Sequence, residues 1–255
     1  MTACKLGKTV NVSESTVVRF AAELGYDGYP SMQKALQEMI RNKLTAIQRI
    51  EVSNDRIGDQ DIMSMVMQSD IEKIRITLEE TDRESFNQAV DMIIAAKRIY
   101  ILGVRSASAL ANFMGFYFNY IFDNVLRVDT TSISEVFEQV MRIGPGDVFI
   151  GLSFPRYSKR TVQAMQYAKS QGANVIAITD SAVSPLANIA DISLLAKSDM
   201  ASFVDSLVAP LSLVNALIVA VSRKKSDQLE STFGKLEQIW SEYEVYEPTD
   251  GGTES

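Results

Sequence analysis

Histidine is absent from the 255-residue sequence, and cysteine occurs only once, as Cys4. Without histidine the chain cannot form Ser-His-Asp or Cys-His nucleophile pairs, imidazole acid–base catalysts or histidine-bearing zinc sites. Any catalysis must therefore use carboxylates, lysine, tyrosine or serine. A single cysteine cannot close an intrachain disulfide, which is consistent with a reducing compartment.

Long uninterrupted apolar runs are also missing. The longest apolar segment, 207–221, contains Pro210, Ser212 and Asn215, and it is shorter than the roughly 20 residues that a spanning helix needs. The N-terminus lacks an apolar core long enough for a secretory signal. We therefore predict a cytoplasmic, globular protein without a membrane partner, in which 207–221 forms a buried or interface helix.

The charges are distributed unevenly along the chain. Residues 1–50 have a balance of +3, whereas the whole chain has a net charge of −7, so the remainder carries −10. A basic head on an acidic body is typical of a protein in which only the head contacts a polyanion such as nucleic acid. Charge alone leaves open the alternative that the head is an ordinary solvated surface.

The head has the pattern of a helix-turn-helix. Ser13 is the expected N-cap of a helix that ends at Gly25, and a helical segment over 3–9 precedes it across a tight turn at 10–12. Apolar spacing predicts that one stripe of the second helix faces inward, namely Val17, Phe20, Ala21 and Leu24. Pro30 opens a further predicted helix with the apolar stripe Leu36, Met39, Ile40, Leu44 and Ile47.

The start of the second helix carries the side chains that a recognition helix needs. Ser13, Ser15 and Thr16 place small hydroxyls near its N-terminus, and Arg19 adds a cation one turn later. Such groups reach base edges and phosphates. Any amphipathic helix can begin in this way, so the spacing alone also fits a helix without DNA contacts.

The rest of the chain alternates between helices and strands. A helix over 53–80 is interpreted as a linker, and Thr81 to Glu84 form a predicted capping box at the start of a second domain. Short apolar strands are then expected at 98–102, 125–128, 148–152, 175–178 and 192–195. Strands that alternate with helices predict an α/β fold with a doubly wound parallel sheet, an α-β-α sandwich that binds ligands beyond the carboxyl ends of its strands.

Three of these strand ends are rich in hydroxyl groups: 103–108, 153–160 and 179–181. Hydroxyls and free backbone N–H groups at helix starts bind phosphate well. The second segment adds Arg156, Lys159 and Arg160 to an otherwise acidic domain, and Asp180 in the third could accept a bond from a sugar hydroxyl. Serine and threonine are also ordinary N-caps, so one segment alone is weak evidence.

These motifs together resemble the RpiR-type (MurR/RpiR) bacterial transcription regulators over nearly the whole chain. VSESTVVRFAAELGYDGYPSMQKAL looks like the helix-turn-helix of that family, and IYILGVRSASALA, DVFIGLSFPRYSKRTV and VIAITDSAVSPLANIADISL look like its SIS (sugar isomerase) domain. The resemblance implies a dimer that binds operator DNA through the head and a phosphosugar effector through the SIS domain. It also implies a further helix and a half before the motif, so relative to the family we expect the head to be N-terminally truncated.

The resemblance also implies roles for individual residues. DNA contacts are expected at Lys8, Ser13, Ser15, Thr16 and Arg19. Effector contacts are expected at Arg105, Ser106, Ser108, Glu135, Ser153, Arg156, Tyr157 and Ser158. The sequence departs from the G-x-G-x-S and S-x-S-G-x-T-x-E patterns of SIS enzymes, because arginines stand at 105, 156 and 160 in place of two glycines and the glutamate. Arg160 cannot serve as a base for proton transfer, so we expect effector binding rather than catalysis.

The predicted domains are a helix-turn-helix at 1–52, a linker helix at 53–80, an SIS domain at 81–242 and a flexible tail at 243–255. We expect a homodimer or a dimer of dimers, with 207–221 or 113–122 at the subunit interface, and no metal ion or cofactor. One alternative is a phosphosugar isomerase that uses Glu135 as its base with help from Lys197 or Asp205. Another alternative is an SIS module that acts on a protein partner.

Overall fold

The computed structural model describes residues 2–33, 35–36, 45, 47–51, 61–130, 132–198 and 204–246. The chain divides into two compact units. The first consists of residues 1–59 with 200–204, and the second consists of residues 60–199 with 205–255. No described helix combines the length and the apolar character that crossing a membrane requires.

The first unit begins with two short helices, α1 (Ala3–Thr9) and α2 (Glu14–Glu23). Thr2 caps α1 by accepting the backbone N–H of Lys5, and Ser13 caps α2 by accepting that of Thr16. Their tight turn requires Gly7, because a Cβ atom there would lie only 2.7 Å from the carbonyl oxygen of Val12. The helix pair and turn agree with the predicted pattern.

The inward stripe predicted for α2 is only half correct. Val17 and Ala21 are buried with Tyr29 and Met32, but Phe20 and Leu24 are each 55% exposed. The reason is geometric, since a stripe of four positions is buried in full only when a neighbour extends along the whole helix. Of the next predicted stripe, Met39, Ile40 and Leu44 lie outside the described residues, while Leu36 and Ile47 are exposed.

The second unit contains the remaining helices and a five-stranded sheet. Its elements are α3 (Ile62–Glu80), α4 (Arg83–Ile94), β1 (Ile99–Gly103), α5 (Ala107–Ile121), β2 (Val125–Arg127), α6 (Ile133–Val140), β3 (Val148–Leu152), α7 (Lys159–Ser170), β4 (Asn174–Thr179), β5 (Ile192–Leu195), α8 (Val208–Lys224) and α9 (Ser226–Glu242). The predicted strands are all present, with ends that differ by at most one residue.

The sheet is parallel throughout and has the strand order β2-β1-β3-β4-β5. Alternate residues of each strand face opposite layers. One layer buries Ile101, Ile150 and Ile178 against α4, α5 and α8, and the other buries Tyr100 and Phe149 against α6 and α7. The predicted α-β-α sandwich is therefore confirmed.

Side-chain caps fix where several of these helices begin. Asp82, rather than the predicted Thr81, is the N-cap of α4, because its carboxylate accepts the backbone N–H of Ser85 at 2.9 Å. Hydrogen bonds from the Ser85 side chain and backbone lower the pKa of Asp82. Charge on the cap also complements the positive end of the helix dipole, which explains why aspartate displaces threonine here.

Candidate functional site

The strand order has one point at which the direction of winding reverses. From β1 the chain passes to β2 on one side of it, and then returns to place β3 on its other side. The final residue pair between β1 and β3 is Gly103 with Leu152. Ligands of doubly wound sheets bind in the crevice that forms beyond such strand ends, so the segments after β1 and β3 form the candidate site.

The segment after β1 is held close to the sheet. A Cβ atom on Gly103 would lie 2.4 Å from the carbonyl oxygen of Ala107, so only glycine permits α5 to begin this near the strand. Arg105 is exposed with φ 57°, and its carbonyl accepts the Ser108 hydroxyl at 2.6 Å. Ser106 is the exposed N-cap of α5, and its side chain makes no capping hydrogen bond. Its hydroxyl therefore lies at the positive end of the α5 dipole.

The segment after β3 is built around two serines. Ser153 is buried, and its hydroxyl oxygen accepts the backbone N–H of Ser158 at 3.0 Å. Ser158 is the N-cap of α7 and accepts the backbone N–H of Thr161 at 3.4 Å. These bonds fold residues 153–158 into a compact loop that ends at the N-terminus of α7, where anions are stabilised.

Two further predicted residues lie in this loop. Arg156 is exposed and has φ 65°, and Tyr157 is half-buried. The Tyr157 hydroxyl donates to the carboxylate of Asp180 at 2.8 Å, which joins the β3 loop to the residue that follows β4. Asp180 is 5% exposed, so this bond provides a buried carboxylate with a donor. The predicted sugar-hydroxyl acceptor thus already has a protein partner.

Glu135 lies in the first turn of α6, which follows β2, and is exposed. The Thr130 hydroxyl donates to its carboxylate. It therefore belongs to the same carboxyl-terminal edge of the sheet as Ser106 and Ser153. All eight predicted effector residues lie in segments that follow β1, β2 or β3 at this edge.

Two buried threonines at the same edge were not among the predicted contact residues, although Thr179 belongs to the hydroxyl-rich segment 179–181. The hydroxyls of Thr161, in the first turn of α7, and Thr179, the last residue of β4, are buried and have no hydrogen-bond partner among the described residues. A buried unsatisfied hydroxyl costs free energy. The only sequence signal for Thr161 is its position one turn after the cap at Ser158.

The predicted DNA-contacting residues are all exposed on the first unit. The Ser13 hydroxyl lies 2.8 Å from those of both Ser15 and Thr16, so three hydroxyls cluster at the N-terminus of α2. Arg19 follows within the same helix, and Lys8 lies in the last turn of α1. Across the described residues, no group of three or more Asp, Glu or Cys side chains could hold a metal ion.

Comparison with known proteins adds independent findings. The family model of the SIS domain matches residues 92–220, which is half of the chain. An uncharacterized HTH-type transcriptional regulator of Caldanaerobacter subterraneus subsp. tengcongensis is 25% identical over 231 residues, covering 87% of this chain and 78% of that protein. The HTH-type transcriptional regulator HexR of Escherichia coli is 25% identical over 237 residues, covering 91% of this chain and 80% of HexR.

Solved structures share the fold. The sugar isomerase domain of an RpiR transcription factor from Sphaerobacter thermophilus has a TM-score of 0.65 and 28% identity, covering 70% of this chain and 99% of that one. The Vibrio vulnificus NanR protein complexed with ManNAc-6P has a TM-score of 0.63 and 21% identity, and the match covers 95% of this chain and 86% of NanR. Phosphoheptose isomerase GmhA of Neisseria gonorrhoeae has a TM-score of 0.53 and 17% identity, and the match covers 63% of this chain and 97% of GmhA.

The resemblance to RpiR-type regulators that the sequence motifs indicated is thus confirmed by similar proteins that cover most of the chain. The SIS domain model matches residues of the second unit, and that unit contains the parallel sheet with its reversal of winding at β1. The chain belongs to the SIS domain family, in which its relatives include HTH-type transcriptional regulators.

Proposed function

We propose that this protein is a DNA-binding transcriptional regulator of sugar metabolism whose SIS domain binds a phosphosugar effector. The observation that carries the proposal is the pairing of two anion-type helix starts, at Ser106 and Ser158, across the reversal point of the sheet. That this chain is 25% identical to HTH-type regulators over most of its length supports a regulatory role. NanR, which has the same fold, was solved with a phosphosugar.

The effector phosphate would bind between these two helix starts. Arg105 and Arg156 supply positive charge there, and the hydroxyls of Ser106 and Ser108 supply hydrogen bonds. Charge-assisted bonds from arginine to phosphate are stronger than neutral ones. A ligand oxygen that reached the first turn of α7 would also give the buried Thr161 hydroxyl a partner. Tyr157 and Ser153 would shape the loop, and Glu135 would accept bonds from sugar hydroxyls.

The head would contact operator DNA through α2. The hydroxyl cluster of Ser13, Ser15 and Thr16 would approach base edges and phosphates. Arg19 and Lys8 would contact the phosphate backbone of the DNA. Two heads in a homodimer or a dimer of dimers would match a palindromic operator, and effector binding would change their spacing. We divide the protein into a head at 1–52, a linker helix at 53–80, an SIS domain at 81–242 and a tail at 243–255.

In this proposal the SIS domain binds the phosphosugar without converting it, and the protein acts in the cytoplasm. Arg160 occupies the position where the SIS enzyme pattern has a glutamate base, and arginine cannot accept a proton at neutral pH. Glu135 is the carboxylate that an isomerase reaction would need in its place. Because isomerases such as GmhA share the fold, turnover of the identified phosphosugar is a direct second test.

The proposal is tested by measuring melting temperature against a panel of phosphosugars and their unphosphorylated counterparts. A ligand that binds only the native state stabilises it by about 2.7 kcal/mol at one hundred times its dissociation constant. We expect one phosphosugar to raise the melting temperature while its unphosphorylated counterpart does not. No shift across the panel would contradict the effector site.

A matched pair of variants locates the site. Ser106→Ala removes an exposed hydroxyl that makes no capping bond, so we expect unchanged stability and weaker phosphosugar binding. Ser170→Ala, at the opposite end of α7, is the control and should bind as the wild type does. Equal affinity in the two variants would show that the ligand lies elsewhere.

A further inference from the structure

The helix α3 buries its polar side and exposes an apolar one. Lys73 and Thr77 are buried, at 5% and 6% exposure, whereas Met67, Ile71 and Leu78 are 58–59% exposed. An ordinary surface helix buries its apolar stripe, whereas the two fully buried residues of α3 are polar. The arrangement needs two explanations, one for the buried polar side and one for the exposed apolar side.

The buried polar side is explained by contacts within the second unit. The Ser206 hydroxyl donates to the carboxylate of Asp70 at 2.6 Å, and the backbone N–H of Lys197 donates to the Thr77 hydroxyl at 2.9 Å. The Lys73 ammonium donates to Ser69 at 2.9 Å and lies 3.4 Å from Asp70. Hydrogen bonds therefore fix the rotation of α3 about its own axis.

The exposed side is a continuous stripe, formed by Met63, Met67, Ile71, Ile74 and Leu78. At about 100° per residue these five positions lie within about 80° of the helix circumference, along about 22 Å of its length. All of them except the half-buried Ile74 are more than half exposed. Because the polar contacts fix the rotation of the helix, the stripe cannot turn inward.

The spacing of the stripe indicates that its partner is a helix. Met67, Ile71, Ile74 and Leu78 follow one another at intervals of four, three and four residues. Apolar positions that alternate in this way form the seam of a coiled coil, where each side chain inserts between those of a facing helix. A strand or an irregular loop would not require this period.

Charge and area favour a second copy of the same helix. Each of the four acidic side chains of α3 has a cationic partner: Asp70 with Lys73, Glu72 and Glu79 with Arg75, and Glu80 with Lys197. Glu72 and Glu79 share Arg75, so one negative charge per helix is not balanced, but these ion pairs reduce the repulsion between two copies. The four well-exposed stripe residues offer about 500 Å² of surface per copy, which is in the range of the largest apolar patch of a typical monomer, and such a patch is often functional. That is a large part of the roughly 800 Å² per partner in a stable interface.

We propose that the α3 stripe pairs with the α3 stripe of a second copy of this chain, forming a two-fold symmetric helix pair. A two-fold interface uses the same patch on both subunits, which suits a stripe that is apolar along its length. The inference rests on the proposed function only in that an operator-binding regulator needs two heads. It places the subunit contact on the helix that precedes the SIS domain in the chain.

Site-specific crosslinking tests the pairing directly. In the full chain with Cys4→Ser, we compare Ile71→Cys on the stripe with Glu72→Cys, the adjacent and exposed position off the stripe. With a short bismaleimide and no DNA or phosphosugar, we expect the Ile71→Cys protein to give at least tenfold more covalent dimer. Equal yields from the two proteins would overturn the proposal.

Self-association gives a second readout that does not depend on cysteine. Sedimentation velocity should show at least a tenfold higher dimer dissociation constant for Ile71→Glu, and a value within twofold of wild type for Gln68→Glu, with circular dichroism to confirm folding. The pairing would be overturned if Ile71→Glu left the dimer dissociation constant unchanged, or if the wild-type protein were monomeric. These are also the results expected if the head or another protein covers the stripe. The phosphosugar and DNA assays would still decide the proposed function separately.

Discussion

Arg105 and Arg156 share a left-handed backbone conformation, with φ 57° and 65°, in the loops that follow the neighbouring strands β1 and β3. Both stand where the SIS enzyme patterns have glycine. At both positions the chain therefore combines a backbone conformation that glycine adopts readily with a cationic side chain. Residues other than glycine rarely adopt this conformation, because the Cβ atom crowds the backbone.

Strain of this kind is retained mainly where function depends on it. We predict that Arg156→Gly and Arg156→Ala both weaken phosphosugar binding about tenfold or more, since each removes a charge-assisted bond. Arg156→Gly should nevertheless be more stable than Arg156→Ala by about 1 kcal/mol, because alanine keeps the strain. Calorimetric titration and urea unfolding measure the two effects, and wild-type affinity in the glycine variant would exclude a ligand contact at Arg156.

The Ser158 cap should contribute to stability. Ser158→Ala removes the acceptor for the backbone N–H of Thr161, so we expect the free energy of unfolding to fall by about 1 kcal/mol. Ser132→Ala is the control, because Ser132 is also an N-cap but makes no side-chain capping bond. Urea unfolding should show a clear loss only for Ser158→Ala, and equal losses would contradict the assigned cap.

Tyr100 should make the fold sensitive to alkaline pH. Burial raises the pKa of Tyr100 above its ordinary value of 10.0, so the native state keeps a proton that the unfolded chain loses. The stabilisation is complete below pH 10 and is lost as the pH rises towards the native pKa, at up to about 1.4 kcal/mol per pH unit.

The pH effect is measured by urea unfolding between pH 9 and pH 11. Tyr100→Phe should lose less stability over this range than the wild type, because phenylalanine cannot ionise. Tyr243→Phe, which replaces a tyrosine that is 71% exposed, should follow the wild type. A wild-type slope in Tyr100→Phe would show that other groups cause the alkaline loss.

The sequence predicted the sheet well because each strand is a short apolar run followed by a polar turn. In β3 all five residues are buried, as expected for a strand covered on both faces. Position along the chain also predicted which segments meet, since parallel strands end at one edge. The residues after β1, β2 and β3 were identified for this reason.

Features that depend on tertiary contacts could not be predicted from the sequence. The apolar spacing of α2 did not reveal that Phe20 and Leu24 are exposed, because period alone does not say how far a neighbour extends. Lys73 looks like a surface residue until Ser206 and Asp70 bring it into a buried network. The left-handed conformation of Arg105 also contradicts local propensity, since only the surrounding loop imposes it.

In the proposed function, phosphosugar binding at the SIS domain alters DNA binding by the head. Fluorescence anisotropy at fixed salt measures the operator dissociation constant, using a DNA duplex that the wild-type protein has selected from random sequence. The measurement is made with and without a saturating amount of the phosphosugar found in the melting screen. We predict a change of about fivefold or more in the operator dissociation constant, and an equal change in phosphosugar affinity when operator is saturating. An operator affinity unaffected by the saturating phosphosugar would show that the two sites are not coupled.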